Sequence, residues 1–321
     1  MSQLLTQIET KLESGALLSY EEALQLAEES IDTEALLALA NRIRQKYKGD
    51  HVDLCTIINA KSGKCAENCK YCAQSAHYNT NIPEYPLLEK ERIVEEAKKN
   101  EAEGVHRFSI VTSGGKLSKK DFEQVLDTIA TLRQETKLLL CASLGTITFE
   151  QALHLKEAGI TSYHHNIETS RDFYSQICDT HSYEDRITTI QNVLQAGLDV
   201  CSGGIIGMGE TMADRIQMAL ELRELGVPSI PINILNPIKG TPLEDMEILK
   251  PEEILKTLAL FRLIIPHGTI RYAGGRSALG QEQQKGFQAG VNAALVGNYL
   301  TTLGNSIADD IKMIRDAGLE V

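Results

Sequence analysis

The sequence lacks the features of membrane-spanning, secreted and nucleic-acid-binding proteins. No apolar run approaches the roughly 18 residues of a membrane-spanning helix. The first 15 residues, MSQLLTQIETKLESG, have no basic region followed by an apolar core, so we expect no secretion signal and a cytoplasmic protein. With 44 acidic against 32 basic residues, the formal net charge is −12. This balance argues against nucleic-acid or anionic-membrane partners, because both bind clustered positive charge.

The chain also lacks long linkers, low-complexity segments and strong short repeats, which favours one main domain. From about residue 52, eight apolar or β-branched runs alternate with helical patterns. The predicted strands are 52–59, 105–111, 137–143, 160–167, 198–206, 229–235, 269–273 and 291–296. This alternation predicts a (β/α)8 TIM-type barrel over residues 51–321 with an N-terminal helical extension over 1–50. A doubly wound open sheet is the structural alternative.

Seven cysteines are present, and three of them crowd into residues 65–72, Cys-Ala-Glu-Asn-Cys-Lys-Tyr-Cys. In a reducing compartment such cysteines favour metal or redox chemistry over disulfides. Three thiolates at this spacing can hold a 4Fe–4S cluster and leave its fourth iron without a protein ligand. The segment follows the first predicted strand, so we expect it at the C-terminal face of the barrel, where barrel active sites lie.

Two alternatives remain open for Cys65, Cys69 and Cys72. A structural zinc site needs a fourth ligand, which His77 could supply, but no second cysteine pair follows. Three inert buried cysteines are less expected in a loop that also carries Lys64.

The triplet, with an aromatic residue before its last cysteine, resembles the radical S-adenosylmethionine (SAM) superfamily. Further segments resemble the biotin synthase family, from about residue 52 to the C terminus. These segments are 140–145 (LCASLG), 166–170 (NIETS), 200–211 (VCSGGIIGMGET), 231–233 (PIN) and 271–276 (RYAGGR). The resemblance implies a radical SAM sulfurtransferase that inserts sulfur into dethiobiotin and consumes two SAM molecules per biotin.

In that family the sulfur comes from an auxiliary iron–sulfur cluster inside the barrel, held by three cysteines and an arginine. By motif, Cys141, Cys201 and Arg271 occupy three of these positions, and each lies on a different predicted strand. Taken alone, Arg271 could equally be a buried salt-bridge partner or a carboxylate binder. Either cysteine alone could be a small core residue.

The fourth auxiliary position is Ser109 instead of cysteine, and a serine oxygen is a harder, poorer iron ligand than a thiolate. We hypothesise that Cys55 replaces the missing thiolate and that the centre is a four-iron cluster with an extra sulfide instead of a 2Fe–2S cluster. The competing hypothesis is that Ser109 ligates iron and Cys55 only packs. Cys178 has no assigned role at this stage.

The resemblance also implies SAM contacts. The Tyr71 backbone and Ile205 would contact adenine, and Ser113 and Gly114 would hold the methionyl amino group. Asn166 and Glu168 would bind the ribose, although the family often has Asp at the latter position. Arg186 would bind the methionyl carboxylate, the alternative being an exposed helix arginine.

The glycine-rich run 203–209 suggests close backbone approach to SAM, because no Gly-Lys-Ser/Thr follows it as in a phosphate loop. His164 and His165 are adjacent on a predicted strand, so we expect at most one of them to face the site.

For dethiobiotin, Asn166 and Asn233 would bind the ureido ring, whose donors and acceptors an amide can match. Thr301 and Thr302 would bind the carboxylate tail, with helix capping as their alternative role. The resemblance further implies a flavodoxin or ferredoxin reductant, the iron–sulfur assembly machinery and a homodimer.

Other functions remain as alternatives. Radical SAM maturases and methylornithine synthases share the cysteine triplet but would not need Cys141, Cys201 and Arg271 together. Lipoyl synthase should carry a second clustered cysteine motif, which this sequence lacks. A non-catalytic iron–sulfur carrier is the candidate from a different class.

Overall fold

A computed structural model describes residues 3–301 and 304–321 and contains one parallel sheet of nine strands. The strands are β1 Asp53–Lys61, β2 Arg107–Thr112, β3 Leu139–Ser143, β4 Ile160–His164, β5 Asp199–Cys201, β6 Gly204–Ile206, β7 Ser229–Ile234, β8 Thr269–Tyr272 and β9 Ala293–Leu295. β1 pairs with both β2 and β9, and the order continues around to β7, which pairs with both β5 and β6. The sheet therefore closes into a barrel.

β5 and β6 together make the fifth strand of an eight-stranded (β/α)8 barrel. The predicted strand 198–206 is interrupted at Ser202 and Gly203, between the pairs Cys201↔Ser229 and Gly204↔Ile232. The barrel prediction is confirmed, and closure of the sheet rules out the open-sheet alternative.

Helices follow most strands and cover the outside of the barrel. They are α4 Lys90–Ala102, α5 Lys119–Glu135, α6 Phe149–Ala158, α7 Arg171–Tyr174, α8 Tyr183–Gln195, α9 Met212–Glu224, α10 Pro251–Ile264, a 3-10 helix Arg276–Glu282, α11 Gln283–Gln288 and α12 Ile307–Asp316. α6, α8 and α9 each begin with a capping box, at Thr148, Ser182 and Thr211. α7 was not predicted from the sequence, because a single turn has too few residues to show a period.

The first helices are α1 Gln3–Glu13, α2 Tyr20–Ala27 and α3 Thr33–Lys48. α2 packs on the outer helices α9 and α10, α3 packs on α10, and α1 packs on α3. Arg223 Nη1 donates to the Leu18 carbonyl (2.8 Å) and Lys256 Nζ donates to the Glu28 carbonyl (2.7 Å). The apolar faces of α1, α2 and α3 belong to the same buried cluster as the barrel core. The division into residues 1–50 and 51–321 remains a prediction. Among the described residues, no helix combines the length and apolarity needed to cross a bilayer.

Candidate active site

The barrel interior carries polar and small side chains at positions where barrels usually place bulky branched residues. Asp53 and Cys55 on β1 share one face with period two, as do Arg107 and Ser109 on β2, and all four line the interior. A cavity of about 1930 Å³ opens there and continues to the C-terminal ends of the strands. Polar side chains and an unfilled interior distinguish this barrel from one that is packed only for stability.

The structure brings the predicted site residues together on the wall of this one cavity. They are Cys55, Cys65, Cys69, Tyr71, Cys72, Ser109, Ser113, Gly114, Cys141, Asn166, Glu168, Arg186, Cys201, Ile205, Asn233, Arg271 and Thr301. Thr302 lies outside the described residues.

The loop after β1 folds the cysteine triplet back on itself. The Cys65 N–H donates to the Gln74 carbonyl (3.0 Å), and the Cys65 carbonyl accepts from the Ala76 N–H (2.7 Å). The Cys72 N–H donates to the Cys69 carbonyl (2.9 Å), which makes a tight turn. Burial raises the pKa of Cys72 to about 11, so metal binding must displace the proton.

The zinc alternative for the triplet does not fit the geometry. A single ion needs ligand atoms within 4.8 Å of one another, and among the described residues Cys65 and Cys72 belong to no such group. His77 Nε2 is 2.9 Å from the Ala66 carbonyl, so it is already hydrogen-bonded within its own loop. Three thiols spread over one loop fit a multi-iron cluster better than one ion.

Main-chain donors surround Cys65. Burial raises the pKa of its thiol, and the N–H groups of Glu67 and Gly114 act in the opposite direction. Ser113 closes this side of the loop, since its Oγ donates to the Gly63 carbonyl (2.7 Å). The segment 113–114 therefore lies beside the triplet, and its contact with the methionyl amino group remains a prediction.

A buried ion pair forms the next part of the wall. Arg186 Nη1 lies 3.3 Å from Glu168 Oε1 and donates to the Asn166 carbonyl (2.9 Å), and Arg186 Nε donates to Tyr174 Oη (2.7 Å). Asn166 Nδ2 donates to Glu168 Oε2 (3.3 Å). Because Arg186 is only 7% exposed, the alternative of an exposed helix arginine is wrong.

The glycine pair 203–204 makes close contacts, but with protein backbone. A Cβ on Gly203 would lie 1.9 Å from the Pro231 carbonyl oxygen, and one on Gly204 would lie 2.3 Å from that of Glu168. These contacts allow the interrupted fifth strand to pass its neighbours and hold Glu168 in place through a 2.8 Å bond from the Ile205 N–H. Protein contacts therefore account for these two glycines, and close approach of SAM to the run 203–209 remains a prediction.

Deeper in the barrel, three thiols face the cavity from different strands: Cys55 on β1, Cys141 on β3 and Cys201 on β5. Burial raises the pKa of Cys55, and the charges of Cys141 and Cys201 act in the same direction. Burial raises the pKa of Cys141 to about 11, against the opposing charge of Arg107. Ser109 lies in register with Cys141 on the neighbouring strand.

Two arginines and an aspartate lie among these thiols. Asp53 Oδ2 accepts from Arg271 Nη2 (2.5 Å) and from Arg107 Nε (2.9 Å). Burial lowers the pKa of Arg271, but Asp53 together with the charges of Cys55 and Cys201 outweighs this effect, and the net pKa is raised. The contact is the one expected of a buried salt-bridge partner. Sequence reasoning missed Asp53 and Arg107, although each is two residues from a singled-out position on the same strand.

His164 and His165 both line the cavity, which corrects the expectation that at most one would. β4 ends at His164, so the alternation of strand faces does not extend to His165. Burial opposes the charged form of both His164 and Cys201, yet the mutual attraction of the two side chains and other nearby groups outweighs it. The pKa of His164 is raised and that of Cys201 is lowered. Sequence reasoning missed this pairing.

The predicted dethiobiotin residues already have main-chain partners. Asn233 Nδ2 donates to the Gly204 carbonyl (3.2 Å), and its Oδ1 accepts from the Gly274 N–H (2.9 Å). Asn166 Oδ1 accepts from the Gly203 N–H (3.1 Å). These bonds fix both amides at the cavity wall. Thr301 is exposed at the mouth.

Comparison with known proteins gives the family. The family described as "Radical SAM superfamily" matches residues 60–222, and "Biotin and Thiamin Synthesis associated domain" matches residues 231–320. The biotin synthase of Acetivibrio thermocellus is 59% identical over 99% of this chain and 99% of its own length. That of Clostridioides difficile is 53% identical over 100% of both chains. The chain belongs to the biotin synthase family.

Solved structures outside the biotin synthases share the fold. A methylornithine synthase superposes with a TM-score of 0.83 at 21% identity, covering 98% of this chain and 96% of its own. An FeFe-hydrogenase maturase from Carboxydothermus hydrogenoformans gives 0.83 at 19% identity, covering 98% of this chain and 78% of its own. At these identities the likeness concerns the barrel alone, and the sequence places the chain with the biotin synthases.

Proposed function

We propose that this chain is a radical SAM enzyme that inserts sulfur into dethiobiotin to give biotin. The observation that carries the proposal is that two sets of thiols, Cys65/Cys69/Cys72 and Cys55/Cys141/Cys201, line one cavity. The predicted SAM residues line the same cavity. One-electron chemistry and a sulfur source need two such metal centres within one enclosed space.

The first set would hold a 4Fe–4S cluster and the second set, with Arg271, an auxiliary iron–sulfur cluster. When bound, these clusters and SAM supply the radical chemistry and the sulfur atom. The chain supplies binding and orientation. Its buried thiols suit soft iron centres, and the positive charges of Arg107 and Arg271 balance an anionic group there.

Around the triplet, Ser113 and Gly114 would hold the methionyl amino group of SAM. Arg186 would bind the SAM carboxylate through the guanidinium N–H groups that are not already bonded to Glu168, Asn166 and Tyr174. Asn166 and Glu168 would bind the ribose, with Tyr71 and Ile205 against the adenine. The tight packing around Glu168 keeps this set ordered before SAM binds.

For the auxiliary centre we favour Cys55 over Ser109 as the ligand. Cys55 is 8% exposed, and the charges of Cys141, Cys201 and Arg271 affect the pKa of its thiol. Three thiolates suit a four-iron centre with an extra sulfide better than two thiolates and a hydroxyl do. Arg271 completes the set, although iron would have to displace a proton that Asp53 stabilises.

The substrate would bind between the two centres. Asn233 and Asn166 would meet the ureido ring, and Thr301 with Thr302 would meet the carboxylate tail. By family resemblance we further propose a cytoplasmic homodimer that takes electrons from a flavodoxin or ferredoxin and is loaded by the iron–sulfur assembly machinery.

Product analysis under anaerobic conditions tests the proposal. With iron and sulfide restored, SAM, dithionite and dethiobiotin should yield biotin, with 5′-deoxyadenosine raised by dethiobiotin to two per biotin. Cys65→Ala should abolish both products, whereas Cys201→Ala should retain SAM cleavage and lose biotin. Absence of 5′-deoxyadenosine from the wild type would indicate an electron carrier and overturn the proposal.

A further inference from the structure

A second group of metal-ligand atoms lies beside the cysteine triplet and shares one cysteine with it. Cys69 Sγ, Cys178 Sγ and one ring nitrogen of His181 lie within 4.8 Å of one another. Cys69 and Cys178 are buried and His181 is partly buried. Nothing in the proposed sulfur insertion uses Cys178 or His181.

Two distances in this group match those between the ligands of one tetrahedral ion. Zn–S bonds of about 2.3 Å at tetrahedral angles place two sulfur atoms about 3.8 Å apart. Cys69 Sγ and Cys178 Sγ are 3.7 Å apart. Cys178 Sγ is 3.3 Å from His181 Nδ1, close to the roughly 3.5 Å between sulfur and nitrogen ligands of one zinc ion. Glu67 Oε2 lies 2.8 Å from the same nitrogen but does not belong to this group, so the described residues supply three ligands and leave the fourth position to solvent.

Hydrogen bonds join the two segments that carry the ligands, the triplet loop and the α7–α8 connection. The Lys70 N–H donates to the Ile177 carbonyl (2.9 Å), and Asn68 Nδ2 donates to Asp179 Oδ1 (2.5 Å). Asn68 Oδ1 accepts from the Asp179 N–H (3.1 Å). These bonds position the ligand atoms without an ion, which lowers the ordering cost of binding one.

We propose that Cys69, Cys178 and His181 form a binding site for one zinc-like divalent ion in the cluster-free chain. Two thiolates and an imidazole favour Zn²⁺ over harder divalent ions. Cys69 cannot serve this ion and the iron–sulfur cluster at once. The ion and the cluster therefore exclude each other, a consequence that rests on the proposed function.

Cobalt(II) titration of the cluster-free full-length chain tests the site, with Co²⁺ as the spectroscopic substitute for Zn²⁺. We expect one Co²⁺ per chain, with thiolate-to-cobalt charge-transfer absorption and tetrahedral bands that Zn²⁺ removes. Cys178→Ala and His181→Gln should each lower the affinity at least about 100-fold, since loss of even an outer partner of a ligand costs 10–100-fold. Cys65→Ala and Cys72→Ala are matched controls that should leave the affinity unchanged.

Three results would overturn the site: no Co²⁺ uptake, uptake insensitive to Cys178→Ala and His181→Gln, or uptake that requires Cys65 and Cys72. Circular dichroism melting checks that each variant folds. Cys178→Ser, which preserves side-chain size, should also bind Co²⁺ more weakly because its oxygen is a harder ligand.

The exclusion is tested by rebuilding the cluster with iron and sulfide after loading with Zn²⁺. Zinc should slow cluster formation in the wild type and have no effect in Cys178→Ala. Equal slowing in both would overturn the exclusion. Cobalt binding as expected in a chain that never assembles a cluster would overturn the proposed function and leave the ion site standing.

Discussion

Arg186 Nη1 lies 3.3 Å from Glu168 Oε1, and both side chains are buried in the cavity wall. Glu168 has a backbone φ of 72°, a left-handed conformation that costs a residue other than glycine about 1–3 kcal/mol. Its N–H donates to the Gly203 carbonyl (3.1 Å), and its carbonyl accepts from the Ile205 N–H (2.8 Å). Strain held by surrounding bonds is typical of a binding site, and the ion pair fixes the carboxylate within it.

Replacing Arg186 should therefore harm both stability and SAM binding. Arg186→Met leaves the Glu168 carboxylate buried without its cation, and we expect a loss of about 3–5 kcal/mol in the free energy of unfolding by urea. Arg171→Met is the control, since Arg171 is exposed and pairs with Glu221 at 2.7 Å, so its loss should cost at most about 1 kcal/mol. Equal losses in the two variants would contradict the role of the buried pair.

The environment of Asp53 predicts a pH dependence. Burial raises its pKa, but Arg271 and Arg107 outweigh burial and hold the pKa below the ordinary value of 3.8. A lowered folded-state pKa gives stability that is complete above the unfolded pKa and is lost as the pH falls below about 4. Asp53→Asn should be less stable than the wild type by about 2 kcal/mol at pH 6, and the difference should shrink below pH about 4.

Urea unfolding of the cluster-free chains across this pH range measures the difference. Asp127→Asn is the control, because Asp127 is exposed and pairs with Lys90 at the surface (2.8 Å), so a change within about 0.5 kcal/mol is expected. A gap between Asp53→Asn and the wild type that stays constant down to pH about 3.5 would contradict the ion-pair explanation.

The auxiliary ligand set predicts how iron content responds to Cys55. In a Cys65/Cys69/Cys72→Ala background, Cys55→Ala should remove most of the remaining iron and sulfide, whereas Ser109→Ala should not. Mössbauer spectra with iron and sulfide counting make the measurement. A 2Fe–2S spectrum that survives Cys55→Ala and disappears in Ser109→Ala would favour the serine-ligand hypothesis.

Gly203 should tolerate no side chain. Gly203→Ala places a methyl group 1.9 Å from the Pro231 carbonyl oxygen, so the fifth strand must shift, and we expect a loss above about 3 kcal/mol. Gly226→Ala adds a methyl group in open space at a φ of +70°, which should cost only about 1–2 kcal/mol. Chemical denaturation of both variants compares the two costs, and similar values would mean that the contact with Pro231 is loose.

The alternation of apolar runs with helical patterns predicted the strand positions well. The parallel strands of a barrel are apolar runs, and they lie between helices that end at a glycine. The prediction 52–59 corresponds to Asp53–Lys61 and 229–235 to Ser229–Ile234. The pattern did not predict the interruption of the fifth strand at Ser202 and Gly203. The sequence there is one apolar run, and the interruption results from contacts with β7 and with the backbone of Glu168. The helical segment after β8 begins as a 3-10 helix with a kink at Gly280, which helical periodicity does not encode.

Motif resemblance identified the residues at the cavity wall but not their partners. The bond of Asp53 to Arg271 joins positions 218 residues apart, so no local pattern reveals it. The spacing of Cys178 and His181 was visible in the sequence. Their proximity to Cys69 depends on the packing of the α7–α8 connection against the triplet loop.

The central claim is that Cys65, Cys69 and Cys72 hold a cluster with one iron left open to SAM. The most direct measurement is the electron paramagnetic resonance spectrum of the reduced cluster in a Cys55/Cys141/Cys201→Ala variant, recorded before and after SAM is added. The account predicts a 4Fe–4S signal whose shape changes with SAM. A spectrum that ignores SAM, or protein that holds zinc on all three cysteines instead of iron, would contradict it.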